Sequence, residues 1–411
     1  MTSSHPIPEH GVGRPKGRGF VAATLSFACV FGAGSAAMPL YDTYRSADGL
    51  TNDQFSLVSV AYFVCAVFAL LVLGRLSNHH GRRPVSIAAL LIGAAGCLTL
   101  LSVHSFLPLL VGRALQGLAA GLASSAIGAY IVDIAPRRPR WLVAAITSAG
   151  AAVGLAVGVF FSGILVELAP TPRELTFFVF AGVLLGCAIA LTKGPETVPR
   201  TAGAWASLVP RLAVPAASRR YLPLASGIFV ATWAIGGYFT SFGPSIAAEN
   251  LGAHSPLAAA AVFASYMAPS FFGGFISGRL TPAAAQRVGM TLVALSGIGL
   301  TYASSAGTLG LYIGAGVIGG IGMGAATSGS MNALLAGALP KDRAGLLAVI
   351  FAISYTGSAV PSLIAGQASR VLNLPAITAG YAVLAILVWL TTIVAARNPS
   401  STYPHAGQKR G

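Results

Sequence analysis

Charge is scarce in this chain of 411 residues: only 9% of positions are Asp, Glu, Lys or Arg, and 10 acids stand against 25 bases. A soluble protein needs roughly 25% charged residues to clothe its surface, so a soluble globular fold is excluded. Cysteine is almost missing as well. Cys29, Cys65, Cys97 and Cys187 fall at scattered depths inside apolar stretches, where they read as small packing residues and supply neither a disulfide frame nor a metal site. No Gly-rich phosphate loop ending in Lys-Ser or Lys-Thr occurs, which excludes ATP-driven work. His79-His80 is an adjacent pair without metal-ligand spacing, and no catalytic cluster gathers at either interface. Neither a metal, a cofactor nor an enzymatic activity is expected.

What the chain has instead is long apolar runs, with 55% hydrophobic residues, 50 Gly and a mean hydropathy of +0.77. A helix needs about 20 apolar residues to cross the hydrocarbon core. Windows of that length predict spans at 20–42, 55–77, 84–102, 106–133, 141–167 and 175–192. A second set follows at 221–247, 256–279, 286–305, 309–336, 343–371 and 376–396. The expected fold is therefore an all-α membrane protein of twelve transmembrane helices, too full of spans to hold a useful soluble domain.

The bases decide the orientation. Clusters such as Arg14, Lys16 and Arg18, or Arg75, Arg82 and Arg83, or Arg137, Arg138 and Arg140, occupy alternate gaps between spans. Only Arg45, Arg173 and Arg370 fall on the other side, and Arg113 lies within a span. Short basic loops stay in the cytoplasm, so both termini are predicted to be cytoplasmic in a multi-pass protein of the cell membrane. The net charge of +15 thus reports topology; no basic soluble module remains to bind nucleic acid. The polar first 19 residues precede a run too long for a signal-peptide core, so the first span is expected to be retained.

The chain divides into a tail at 1–19, a six-helix bundle at 20–192, a linker at 193–220, a second bundle at 221–396 and a tail at 397–411. The linker is rich in Pro, Ala and base. The halves echo each other: Gly74-Arg75-Leu76-Ser77 recurs as Gly278-Arg279-Leu280-Thr281, and Pro136-Arg137 as Pro340-Lys341, each 204 positions on. Such parallel repeats are related by an axis along the membrane normal.

The loop after the second span reads Gly74-Arg75-Leu76-Ser77-Asn78-His79-His80-Gly81-Arg82-Arg83. It resembles the cytoplasmic signature of the major facilitator superfamily: a Gly, three residues, Asp, a base, any residue, then Gly-Arg-Arg. Gly74, Gly81, Arg82 and Arg83 match; Asn78 stands where Asp is usual and His79 where Arg or Lys is usual. Arg113-Ala114-Leu115-Gln116-Gly117 in the fourth span is similar to the family's second signature. The resemblance implies two pseudo-symmetric six-helix bundles that rock about a central site. It also implies a cytoplasmic gate motif of Gly74, Asn78, Gly81, Arg82 and Arg83, with Arg82 paired to Asp133 and Asn78 meeting the span-11 start near Asp342 and Arg343. Since Asn carries no charge, that second contact is expected to be the softer one.

Other residues are read more directly. Gly150, Gly154, Gly158 and Ser162 recur every four residues and predict a small-residue packing face. The family's drug/proton antiporters often have a Pro in this span where Leu155 stands, which weakens that subgroup. An intramembrane base must find water, a carbonyl or a carboxylate, so Arg113 and its neighbour Gln116 are cavity candidates, alongside a purely stabilising role. Tyr62, Trp233, Tyr238, Asn332 and Tyr355 complete the candidate substrate cavity. No acid lies in the middle of any span. Asp42, beside Met38-Pro39, and Asp133 are the remaining proton-coupling candidates.

The expected function is secondary active transport by alternating access, as proton-coupled efflux of small amphiphilic or drug-like compounds by a monomer. The alternative is a proton-coupled importer of a small anionic or neutral metabolite, which an unpaired Arg113 facing the cavity would favour. The expected partners are a small-molecule substrate, protons and the lipid bilayer.

Overall fold

The computed structural model describes residues 15–136, 140–209, 214–336 and 340–399, without the side chains of 15–16, 140–145, 147–149, 206 and 340–344. With no water in the hydrocarbon to pair with free amides, a spanning chain folds into helices that satisfy their own backbone. Twelve helices long and apolar enough to cross are present among the described residues. Spans 1 to 6 are Gly17–Asp48, Asn52–Leu73, Arg82–Ser102, Phe106–Asp133, Gly150–Leu168 and Pro172–Thr192. Spans 7 to 12 are Leu222–Glu249, Pro256–Ser277, Pro282–Ala306, Leu309–Leu335, Gly345–Ala368 and Leu374–Ala395. The ends carry ordinary stop and start chemistry. Gln54 accepts the Thr51 backbone N–H at 3.0 Å to open span 2, Pro172, Pro256 and Pro282 begin spans 6, 8 and 9, and Gly49 and Gly307 close spans 1 and 9 at φ 68°.

Span 1 runs past the sequence-based limit of 42 because it is broken and restarted. An α-helix over Pro15–Ser35 gives way to a tight turn at Met38–Leu40 and resumes at Tyr41–Asp48. Pro39 has no N–H to continue the first ladder, yet its fixed φ suits the start of the next helix. Span 7 carries Pro244, one position beyond the echo of Pro39, but stays one helix over Leu222–Glu249. Spans 2 and 4 loosen into wider π-type turns at Ala69–Leu73 and Ala123–Ile127.

Close approach is what holds each half together, since lipid offers no hydrophobic contrast between helices. Span 5 lies on span 1: a side chain at Gly154 would meet the Ala28 backbone, and one at Gly158 the Gly32 backbone. Ser162 donates to the Ala36 carbonyl at 2.6 Å on the same face. Span 4 presses Gly117 against the Tyr62 backbone of span 2, and span 10 presses Gly320 against the Tyr266 backbone of span 8. Tyr62 and Tyr266 are 204 positions apart, so the internal echo continues into the packing.

The halves meet along spans 2 and 11 and along spans 5 and 8. An even number of crossings leaves the described chain ends at one side, termed the inner side; the opposite side is the outer one. Polar contacts that cross between halves cluster at the outer end, among them Arg45–Glu249, Arg370–Asp53, Ser255–Glu167 and the Ser56 hydroxyl on the Ser362 carbonyl.

Candidate functional site

The break in span 1 leaves carbonyls at the C-terminal end of the Pro15–Ser35 helix without a continuing ladder, and this end carries the negative pole of the helix dipole. Span 4 supplies the answer. Arg113 is only 1% exposed, and its Nη1 donates to the Gly34 carbonyl and, at 2.9 Å, to Gln116 Oε1. Gln116 Nε2 donates to the Ala33 carbonyl at 2.9 Å. The guanidinium lies 4.5 Å from the centre of the Tyr62 ring, which covers it from span 2. No carboxylate forms an ion pair with it among the described residues, and its Nε has no hydrogen-bond partner there. Arg113 and Gln116 therefore cap a broken helix inside the first half, and the base is withdrawn from the contact between halves.

The contact at mid-depth is aromatic and neutral. Tyr355 of span 11 is buried, with the Trp233 ring of span 7 at 5.0 Å, Phe63 of span 2 at 6.2 Å and Phe351 of its own helix at 6.5 Å. Ser124 of span 4 sits beside it, inside the π-type turn. Tyr62 packs edge-on to Phe63 at 5.5 Å and so joins this cluster to the Arg113 group. Sequence reasoning missed Phe63, Phe351 and Ser124. Phe351 lies one helical turn before Tyr355, and that spacing is the signal that points to it.

Two candidates stand elsewhere. Tyr238 is buried within the second half, where its hydroxyl pairs with Tyr312 at 2.6 Å and Thr378 at 2.8 Å. Both partners belong to spans 10 and 12, so the side chain is turned away from the cluster. Asn332 is exposed near the inner end of span 10. Asp42 lies at the outer end, 3.8 Å from Arg45 and 4.0 Å from His254.

The inner loop is built around Gly81, whose φ of 98° is a conformation that L side chains rarely adopt. Arg82 Nε lies 3.2 Å from Asp133 Oδ2, and its Nη1 donates to Ser77 Oγ at 2.8 Å. Arg83 reaches the carbonyls of Thr192 and Gly194 at 3.2 and 3.0 Å. Glu196, which sequence reasoning passed over, accepts the backbone N–H groups of Arg82 and Arg83 at 2.8 and 3.2 Å and so caps span 3 from the linker. Thr197 adds a bond to Asp133 Oδ2 at 3.0 Å. Asn78 is exposed, and the side chains of Asp342 and Arg343, its expected partners, lie outside the described set. Asp133→Asn is expected to slow transport roughly three- to tenfold while leaving insertion intact, the size of a partly exposed pair worth about 1 kcal/mol. Transport at the unsubstituted rate in vesicles would show the pair to be unimportant; partial recovery by exchanging the charges of Arg82 and Asp133 would support it.

Comparison with known proteins gives one consistent answer. The family model described as Major Facilitator Superfamily matches residues 23–366. An uncharacterized MFS-type transporter of Methanocaldococcus jannaschii is 24% identical over 165 residues, covering 40% of this chain and 42% of that one. The chain thus spans about two fifths of that relative's length. The xylose transporter XylE from E. coli, in a partially occluded inward open conformation, superposes with a TM-score of 0.71 at 13% identity, over 93% of this chain and 98% of that one. The nucleoside transporter NupG gives 0.70 at 10% identity, over 93% and 100%. At these identities the two structures show the fold alone.

Proposed function

Because the chain belongs to the major facilitator superfamily and is a membrane transporter, not an enzyme, we propose that it exports small amphiphilic compounds by proton-coupled alternating access. The observation that carries this reading is the neutral aromatic cluster of Phe63, Trp233, Phe351 and Tyr355 at the junction of spans 2, 7 and 11. Rings drawn from both halves offer stacking surface to a flat or greasy solute and separate when the halves rock apart. The Tyr355 and Ser124 hydroxyls add directional polar contacts. The outer polar contacts hold that end together, as alternating access requires in one of its states.

Energy for the cycle is proposed to come from protons. One charge crossing 100 mV is worth about 2.3 kcal/mol, enough for roughly fifty-fold accumulation from the potential alone. Asp133 at the inner loop and Asp42 at the outer end are the acids proposed to take part. The same reading has the protein acting as a monomer in the cell membrane with both termini in the cytoplasm, as the distribution of bases favours.

A second reading is import of a neutral metabolite. It is favoured by the absence of charge from the cluster and by the likeness to transporters named for xylose and nucleosides. An anionic substrate fits less well, since Arg113 is already engaged by Gly34, Gln116 and the Tyr62 ring.

The test is a compound screen in sealed vesicles with an imposed pH gradient. Export should appear only with the gradient and collapse on adding an uncoupler. Trp233→Ala should weaken it about tenfold or more, as losing one stacked aromatic contact of ~1.4 kcal/mol implies. Gradient-driven, saturable uptake of a polyhydroxylated solute would replace the first reading with the second.

A further inference from the structure

We propose that Arg45, Glu249, Asp53, Arg370 and Glu167 form an electrostatic outer gate whose state sets how often the halves open outward, with Arg45 as its hub. The inference rests on the alternating-access reading and adds to it the residues that hold the outer end shut.

Each joint lies at a different contact between the halves. Arg45, at the end of span 1, places Nη1 2.7 Å from Glu249 Oε1 of span 7. Its Nη2 contacts the Ser245 hydroxyl and, at 3.1 Å, Asn52 Oδ1; Ser245 in turn donates to Asn52 Oδ1 at 2.6 Å. Arg370, just beyond span 11, places Nη2 2.8 Å from Asp53 Oδ2 of span 2. Glu167 of span 5 accepts from Ser255 Oγ at 2.7 Å and from the Leu257 N–H at 3.4 Å, capping the first turn of span 8 from the opposite half. These ties join spans 1 and 7, 2 and 11, and 5 and 8. Between the first two ties lies a depression of about 540 Å³ lined by Arg45, Thr51, Asn52, Asp53, Glu249 and Arg370.

Among the neighbouring charges, Asp42 lies in the same half as Arg45 and 3.8 Å from its Nη1, a second acid on the hub. Asp48, Arg173 and His104 pair among themselves within the first half and cross nothing. The Asp42–His254 approach at 4.0 Å does cross, but the His254 side chain is 74% exposed. Exposure also bounds the strength of the gate. Side chains of Arg45 and Glu249 are 21% and 45% exposed, and those of Asp53 and Arg370 18% and 59%. Partly exposed pairs are individually weak and screened by salt, as contacts that break in every cycle must be.

Paired nitroxide labels test this directly. Thr171→Cys and Val371→Cys, both exposed at the outer end on opposite halves, carry the labels in a chain whose 4 native cysteines are alanine. Glu249→Gln with Asp53→Asn is expected to raise the fraction of long distances about tenfold, the shift given by losing two modest ties. Exchanging the charges, Arg45→Glu with Glu249→Arg, should restore the shorter distance. Raising salt to about 1 M on the unsubstituted pair should lengthen it without any change of side chain. Distances that ignore both the double substitution and the salt would overturn the gate. Because no substrate or gradient is needed, a gate that opens as stated in a protein insensitive to uncouplers would sink proton coupling alone. Uncoupler-sensitive transport with fixed distances would sink the gate alone.

Discussion

Arg113→Leu is expected to lower initial transport rates by about 100-fold per folded molecule, the equivalent of ~2.7 kcal/mol lost from a conformational step. The substitution leaves the Gly34 carbonyl and Gln116 Oε1 without their donor at full burial. Each such orphaned group costs roughly 1–3 kcal/mol, and the Tyr62 ring also loses the cation it covers. These losses fall on the break in span 1, between the helix ending at Ser35 and the one starting at Tyr41. The upper segment carries Arg45, so loosening the break also loosens the outer gate. Arg113→Lys keeps the charge but lacks the planar guanidinium face that lies against the Tyr62 ring, and is expected to recover only part of the rate. Rates in proteoliposomes, divided by the folded fraction from size exclusion, check both variants. A leucine variant that transports within about threefold of the unsubstituted protein contradicts the capping role, since that ratio corresponds to under ~0.7 kcal/mol.

Gly158→Leu should cost the protein its fold altogether. A first side-chain atom at this position would meet the Gly32 backbone, where neither partner has a flexible end that yields. Spans 1 and 5 must then separate, which also strains the Ser162 bond to the Ala36 carbonyl and the Ser35 bond to the Leu155 carbonyl. Overpacking of this kind commonly costs about 1–3 kcal/mol and more when backbone must move. Because the same helix pair flanks the span 1 break, the expected outcome is aggregation, with little folded protein at the monodisperse peak in detergent. Gly182→Leu is the control, since a side chain there meets nothing within 4 Å and should leave the peak unchanged. Equal yields for the two variants would remove close helix approach as the force joining spans 1 and 5.

Much of the architecture could be read without coordinates. The number and place of the spans follow from a solvent that forbids unpaired backbone, while the echo at 204 positions and the basic alternate gaps are written in the sequence itself. The small-residue face of span 5 was also visible, because a four-residue period places those positions on one side of a helix whatever it packs against. The break in span 1 was only half visible. Pro39 marked it, but Pro244, one position beyond its echo in span 7, leaves that helix whole.

The site was harder to read because its members meet through tertiary packing. Tyr238 and Tyr355 look alike in sequence, each an aromatic hydroxyl within a span. One faces Tyr312 and Thr378 inside its own half, and the other faces Trp233 and Phe63 at the junction. Helix rotation separates those two fates, and in spans apolar on every side composition says little about rotation. Glu196 was overlooked for a similar reason: a lone acid in a Pro-rich linker has meaning only once it lies under the amides of Arg82 and Arg83.

By itself the sequence determined that this chain crosses a bilayer twelve times in two related halves, since length, apolarity and base placement act locally and need no partner. Tertiary structure alone decided that Arg113 caps a broken helix, that the junction is lined by neutral rings, and that Arg45 reaches Glu249 across 204 positions of chain. Those outcomes depend on which helix faces meet, and no local rule encodes the meeting of faces.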